Sequence, residues 1–311
     1  MLALYRAGAH FFLARNVDDG TQLFDVSHGR RLAYLQYGDP DGSAVFYHHG
    51  GPGSRLDAQI FGDLPGHCGI RLIAVDRPGI GRSDWCPGWT LLSFAEDVRR
   101  LADGLGLDRF GVLGISGGGP PALACAFLMA ERLNAVVSVA GAPYGPLSHR
   151  EMLADMALAD RVVARVAWAA PWAMRLIHAP VAWYVRRFPR HFSKMIRTWM
   201  PPSLESPGGG PSVVEVFRET VREAFIQGGK GPARDAFLDL TPWGFDVEKI
   251  EARVTIWQGT ADTLVSAQLQ QRMAARMPAA TLRLFPDEGH FLFVRRAAEL
   301  MNLLRQPHAD L

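Results

Sequence analysis

The sequence predicts an α/β fold, a mostly parallel central sheet with helices on both faces, on three observations. Short β-rich runs recur along the chain, helical patterns separate several of them, and the alternation lapses once, past the middle. A strand that is followed by a helix and then another strand needs a crossover, and crossovers cover both sides of a parallel sheet. The lapse marks something inserted into that scheme.

Taken in order, the β-rich runs are 31–37 (RLAYLQY), 44–48 (AVFYH), 71–75 (RLIAV), 110–115 (FGVLGI), 135–140 (AVVSVA), 253–257 (RVTIW) and 281–285 (TLRLF), most of them bounded by Gly, Pro or Asp. Helical spacing appears at 91–106, with apolar Leu92, Phe94, Val98, Leu101 and Leu105, and again at 119–132, 265–277 and 291–305. Between about 143 and 240 no good strand occurs. That stretch is rich in Trp, Arg, Met and Pro and carries the loop SPGGGP at 206–211, so it reads as a mainly helical insertion, a cap or lid over the sheet. The expected organisation is a core of residues 1–142 and 241–311 with a lid at 143–240. The opening MLALYRAGAHFFLARNVDDG has Arg6, His10 and Arg15 inside its apolar stretch and reads as a peripheral helix rather than a secretion signal.

Composition narrows the class of function. With 311 residues, 48% hydrophobic and 21% charged, the chain suits one large globular domain, and no apolar run reaches the ~18 residues needed for an integral membrane segment. A net charge of +2 gives no global reason to expect nucleic acid as a partner. Cys68, Cys86 and Cys125 are far apart, without a CxxC pair or a surrounding His cluster, which disfavours disulfides and a zinc site and fits a reducing, cytoplasmic setting. Oligomeric state is not readable.

The stretch GISGGGP at 114–120 sets one serine among four glycines, directly after a strand run and directly before a helical one. A strand that turns so sharply into a helix forces Ser116 to positive φ and crowds the neighbouring backbones, which only Gly114 and Gly118 tolerate. This G-x-S-x-G turn, the nucleophile elbow, lifts the serine Oγ above the carboxyl end of the sheet. A serine hydroxyl is a weak nucleophile at neutral pH, so it needs a base in hydrogen-bond reach and a carboxylate to orient that base. Asp262, in VTIWQGTADTLVS after the run 253–257, is the candidate acid, and His290, in LRLFPDEGHFLF after the run 281–285, the candidate base. Asp262 could also cap a helix beginning near Val265, and His290 could be a cap or a packed surface histidine. Asp287 and Glu288 are rival acids, read as loop residues. For the developing oxyanion, Gly117 supplies one backbone N–H. YHHGGPGS at 47–54 supplies the other from Gly51, with His49 as support for that loop. Unlike a phosphate-binding loop it has no following GK[ST], so nucleotide binding is disfavoured. His48 reads as structural, and a metal role for the His48–His49 pair is disfavoured because adjacent strand residues face opposite ways.

In sequence order, HGGPG at 49–53, DRPGIGRSD at 76–84, GISGG at 114–118, GTAD at 259–262 and DEGH at 287–290 resemble the α/β-hydrolases, over roughly residues 22 to 305 outside the lid. The resemblance implies a catalytic triad of Ser116, Asp262 and His290, a buttress for the oxyanion segment built from Asp76, Arg77 and Gly81, and no metal or organic cofactor. Serine rather than aspartate at 116 argues against dehalogenase and epoxide hydrolase chemistry. HGGPG also resembles proline iminopeptidases in part, although those enzymes tend to have Gln-Arg-Gly after the loop aspartate and Trp after the nucleophile, where this chain has Arg77-Pro78-Gly79 and Gly117.

From Arg161 to Leu204 the insertion has no acidic residue, against Arg161, Arg165, Arg175, Arg186, Arg187, Arg190, Lys194 and Arg197. A basic face repels an amine, so the expected substrate is a small molecule, a carboxylic ester with a small or medium hydrophobic acyl group. Glu215, Glu219 and Glu223 form an i, i+4 row beside Arg218 and Arg222 and read as a solvated face, although they could serve an amine. Trp168, Trp172, Trp183, Tyr184 and Trp199 could line an acyl pocket, rest on a membrane or pack the lid. An iminopeptidase-like aminopeptidase, an acyltransferase, a C–C hydrolase and a low-turnover ligand receptor remain alternatives on the same fold.

Overall fold

The computed structural model describes residues 20–200, 204 and 206–305, so the peripheral helix expected at the N-terminus lies outside the described residues. Eight strands form one sheet: β1 (Gln22–Asp25), β2 (Arg31–Gly38), β3 (Ser43–His48), β4 (Ile70–Val75), β5 (Phe110–Ile115), β6 (Leu133–Val139), β7 (Val254–Gly259) and β8 (Ala280–Phe285). Their spatial order is β1-β2-β4-β3-β5-β6-β7-β8. The pairs β1–β2 and β2–β4 are antiparallel and the remaining pairs parallel. All seven expected strands are present. β1 is additional: an edge strand of four residues, three of them exposed, has no apolar alternation to announce it.

Side-chain alternation divides the core between the two faces of the sheet. Val45, Tyr47, Leu113 and Ile115 point into one buried cluster. Phe46, Phe110 and Val112 point into the other. Every residue of β5 is buried, as expected of a strand covered on both sides.

The helices in chain order are α1 (Leu64–His67), α2 (Leu91–Gly104) and α3 (Gly119–Leu128), then α4 (His149–Asp155), α5 (Leu158–Ala169), α6 (Met174–Arg187), α7 (Pro189–Trp199), α8 (Val213–Ala224) and α9 (Lys230–Asp239), then α10 (Ala267–Ala274), α11 (Leu292–Arg295) and α12 (Ala297–Arg305). α2 starts where Thr90 and Ser93 cap each other, the Ser93 amide donating to Thr90 Oγ1 at 3.1 Å and the Thr90 amide to Ser93 Oγ at 2.9 Å. The six helices α4 to α9 all fall between β6 and β7, and no strand interrupts them among the described residues. Buried polar contacts hold them to the sheet. The Ser54 amide donates to Thr220 Oγ1 at 2.8 Å, Arg55 Nη2 meets Glu223 Oε1 at 2.9 Å, and Arg77 grips Asp235 through Nε and Nη2 at 2.6 and 2.7 Å.

Candidate active site

Ser116 follows β5 directly, at φ +53°, and a single 3-10 turn over Ser116–Gly118 leads into α3. A Cβ on Gly114 would lie 2.2 Å from the Gly118 carbonyl oxygen, and one on Gly118 would lie 2.0 Å from that of His48. The glycines of the turn are therefore a steric necessity. The Ser116 carbonyl accepts from the Ala142 amide at 2.9 Å, which fixes the turn to the end of β6.

Asp262 and His290 come from the loops after β7 and β8. Those loops are laced together by the main chain, the Thr260 amide donating to Phe285 O at 3.0 Å and the Ala261 amide to Glu288 O at 2.9 Å. His290 Nδ1 lies 2.8 Å from Asp262 Oδ2, and His290 Nε2 lies 3.0 Å from Ser116 Oγ. A carboxylate can only accept, so the proton sits on Nδ1 and Nε2 is left to accept from the serine hydroxyl. Asp262 Oδ1 takes the amides of Leu264 and Val265 at 2.8 and 2.9 Å, an Asx turn, while Ser266 caps α10. Burial would raise the Asp262 carboxyl. The His290 contact and the two amides outweigh it and hold the group below its ordinary value. Gln258 adds a fourth donor that sequence reasoning missed. Fully buried in β7, its Nε2 donates to Asp262 Oδ2 at 3.1 Å.

The rival acids stand apart. Glu288 faces Arg296 and Arg295 at 3.5 and 3.8 Å, and the Asp287 amide donates to Thr260 Oγ1.

Gly51 and Gly117 lie close together. A Cβ on Gly117 would sit 3.1 Å from the Gly51 nitrogen, and neither amide meets an acceptor among the described residues. His49 is buried, with Nδ1 donating to Gly50 O at 2.8 Å, and its own carbonyl accepts Arg77 Nη1 at 2.8 Å. His48 points the other way, against the Phe94 ring at 5.5 Å and Cys125 Sγ at 3.7 Å. Burial, with Arg77 nearby, pushes it down to about 3, so it is a neutral packing residue.

A cavity of about 340 Å³ opens above Ser116 and His290, with Ile60, Val163, Phe217, Phe291 and Phe293 among its apolar walls. Here the structure departs from the sequence reading. Among the described residues no Lys or Arg lines this cavity; beside His290 it carries the carboxyl groups of Asp57, Asp160 and Asp239. The arginines of the insertion are mostly exposed on its outer side, and an arginine's position in sequence does not reveal which helix face meets solvent. Neither Trp168 nor the exposed Trp172 and Trp183 reaches the cavity. Trp168 instead packs the insertion, its Nε1 donating to Leu240 O at 2.7 Å. The Glu row also splits. Glu219 pairs with Arg218 and Arg222 and Glu215 with Ser212, but Glu223 is buried against Arg55, so it is no part of a solvated face.

Asp239 was invisible beforehand. It lies four residues after Asp235 on one face of α9, and its Oδ2 would be 3.0 Å from a Cβ on Gly117. Arg77 spends its donors on Asp235 and His49, and no donor among the described residues reaches Asp239. Burial, then the Asp235 charge, push the Asp239 carboxyl well above the ordinary carboxylate range; Arg77 offsets only part of this.

A hydroxyl, an imidazole and a carboxylate in series at the carboxyl edge of a mostly parallel sheet place the molecule among the hydrolases of α/β architecture. The chain belongs to the alpha/beta hydrolase fold family, which its residues 43–297 match. It is 28% identical over 276 residues to a Caulobacter sp. (strain K31) protein named as a carbamate hydrolase, covering 82% of this chain and 91% of that one. It is 26% identical over 283 residues, 88% and 87% of the two chains, to the 2-hydroxy-6-oxononadienedioate/2-hydroxy-6-oxononatrienedioate hydrolase of Burkholderia vietnamiensis (strain G4 / LMG 22486). The likeness to proline iminopeptidases is partial: the Xylella fastidiosa (strain Temecula1 / ATCC 700964) protein is 34% identical over 127 residues, 39% of this chain and 38% of that one. Among solved structures, a thermophilic esterase from Thermogutta terrifontis superposes with a TM-score of 0.62 at 21% identity, over 92% of this chain and 96% of that one, a likeness of fold.

Proposed function

We propose that the protein hydrolyses a carboxylic ester with a small or medium hydrophobic acyl group through an acyl-enzyme, with residues 143–240 as the lid. The observation that carries this reading is the series Ser116 Oγ, His290, Asp262, at 3.0 and 2.8 Å, beside two unoccupied amide donors. Ser116 Oγ attacks the ester carbonyl carbon and its proton passes to His290 Nε2. The oxyanion is held by the amides of Gly51 and Gly117. His290 then gives the proton to the departing alkoxide oxygen, which leaves as the alcohol. A water molecule, deprotonated by His290, attacks the acyl carbon. Collapse returns the proton to Ser116 and frees the acid. Asp262 stays ionised throughout and stabilises the imidazolium. No step calls for a metal or organic cofactor.

Asp239 constrains the scheme. An ionised carboxylate beside the Gly117 amide would oppose the oxyanion, so Asp239 carries its proton during turnover of a neutral ester, as its burial next to Asp235 favours.

A second reading rests on the same acidic lining. Asp160 and Asp239 suit a substrate whose acyl part bears an ammonium group, as in aminoacyl esters or arylamides, and Asp239 would then be ionised against it. Labelling of Ser116 by a fluorophosphonate, followed by turnover of short p-nitrophenyl esters and of proline arylamides, separates the readings. Ester turnover with weak arylamide turnover supports the first and the reverse supports the second. Labelling without turnover of either overturns both in favour of a receptor.

A further inference from the structure

The outer side of the insertion is built unlike the rest of the surface. Among the described residues, seven of the eleven exposed large hydrophobic side chains lie between Leu158 and Trp183. Trp172, Leu176 and Trp183 are 70%, 63% and 61% exposed, and the steps of four and seven residues set them on one stripe of α6 and its leading turn. Leu158 and Val162, 75% and 54% exposed, repeat the pattern one turn apart on α5. The inward face of α6 is already satisfied, because Met174, Ala182 and Val185 are buried. These outward residues are therefore not a core face waiting for the sheet.

Charge identifies what covers them. From residue 161 to 204 there are eight cationic side chains and no acidic one. Arg165, Arg175, Arg186 and Arg187 are exposed three or four residues from the outward apolar side chains of their own helix or its leading turn, and Arg190 and Lys194 are exposed on α7. A helix face that mixes exposed tryptophan and leucine with arginine, free of carboxylates, has the composition of a segment lying in the headgroup boundary of an anionic bilayer. A nucleic acid would answer the cations but leave Leu158, Val162 and Leu176 in water. So many exposed large apolar side chains within one segment are unusual on a protein surface with no partner.

We infer that the outer face of α5 and α6 docks on the surface of a bilayer containing anionic lipid, the tryptophans and leucines entering the headgroup boundary and the arginines meeting lipid phosphates. α5 joins this face to the cavity, since it turns Asp160 and Val163 to the cavity and Leu158 and Val162 to solvent. The inference does not rest on the reaction proposed above.

The full-length protein is sedimented with vesicles of phosphatidylcholine alone and with about 30% phosphatidylglycerol, at about 0.15 M salt. Binding at least about 10-fold tighter to the anionic vesicles, weakening as salt rises, is expected. The W172A/L176A/W183A variant should lose about 10-fold or more of that binding while keeping the far-UV circular dichroism and melting cooperativity of the parent. Because that variant removes three large side chains, R186E/R187E serves as a second probe that touches exposed positions alone and should lose binding similarly. Absence of vesicle binding, equal binding to neutral vesicles, or binding unchanged in both variants overturns the proposal. So does a dimer in light scattering that the triple variant abolishes, since a second copy of the chain would then be the occupant.

Discussion

Ser116, Asp262 and His290 stand on loops tied by main-chain hydrogen bonds to the ends of buried strands, whereas the helices between β6 and β7 are tied to the sheet through side chains. The first kind of attachment is nearly independent of residue type, and the site it holds needs few special residues: glycines in the turn, and Gln258 behind the carboxylate. The second kind depends on single charges. Arg77 carries both Asp235 and the His49 carbonyl, so the loop after β3 and α9 share one guanidinium. The position of the three side chains is thus fixed by the backbone of the sheet, and the wall facing them is fixed by side chains, ion pairs beside apolar packing.

The largest effect expected from breaking either side is at the serine. Ser116→Ala should lower kcat/KM by about 10^4-fold or more, equivalent to ~5.5 kcal/mol of lost transition-state stabilisation, with stability changed by less than ~1 kcal/mol. Ester hydrolysis kinetics with a denaturant titration on the same variant measure both. Activity retained at a tenth of wild type would remove Ser116 from the mechanism.

Asp235→Ala should show the converse profile. It strands Arg77, which is fully buried, and removing one partner of a buried pair costs about 3–5 kcal/mol. The nucleophile is untouched, so fluorophosphonate still labels Ser116, while kcat drops because the His49–Gly51 segment loses a fixed Arg77. Denaturant midpoint and labelling rate, measured together, test this; a loss below about 1 kcal/mol would mean that the pair does not hold the insertion.

Asp239→Asn sharpens the contrast within one helix. The Asp239 pKa is raised in the folded protein, so between the unfolded value near 4 and the raised value the native state binds more protons than the unfolded state. Stability from this group is full below about pH 4 and is lost as pH rises through the folded pKa. Asparagine removes that loss. The variant should be more stable than the parent at pH 7, with the gain vanishing toward about pH 4, when thermal melts are compared across that range. Ester turnover should persist, because a neutral amide replaces a neutral acid; an aminoacyl arylamide should lose its amine partner instead.

Which of these features the sequence disclosed follows from how local each one is. The turn at Ser116 is legible because strand, crowded glycines and helix follow one another within a few residues, and the loops of Asp262 and His290 each trail a strand in the same way. Asp235 and Asp239 are not, because ARDAFLDL reads as any helix and the guanidinium that distinguishes the two acids lies 158 residues away from Asp235. β1 escapes because an exposed edge pairs through its backbone and needs no apolar pattern. The arginines of the insertion mislead for a related reason: their number is visible in the chain, but the direction they face is set by how α5 and α6 pack.

The smallest effect belongs to α8, where two glutamates one turn apart lie on opposite sides of the comparison. Glu219 is part-exposed, and its partners Arg218 and Arg222 lie on the same helix, so its ion pairs hold no two elements together. Pairs of this kind contribute about 0.3–0.5 kcal/mol, and Glu219→Ala should shift the denaturant midpoint by no more than that. Glu223 has the same side chain but is buried between Arg55 and Arg82, which come from the loops after β3 and β4. Glu223→Ala takes away one of the two carboxylates that face buried Arg55, at a cost of about 3 kcal/mol. A near-silent Glu219→Ala beside a strongly destabilised Glu223→Ala is the signature of an insertion held by specific charges. Equal effects from the two would mean that α8 is held by its apolar face, Val213, Val216 and Val221, and that the ion pairs add little.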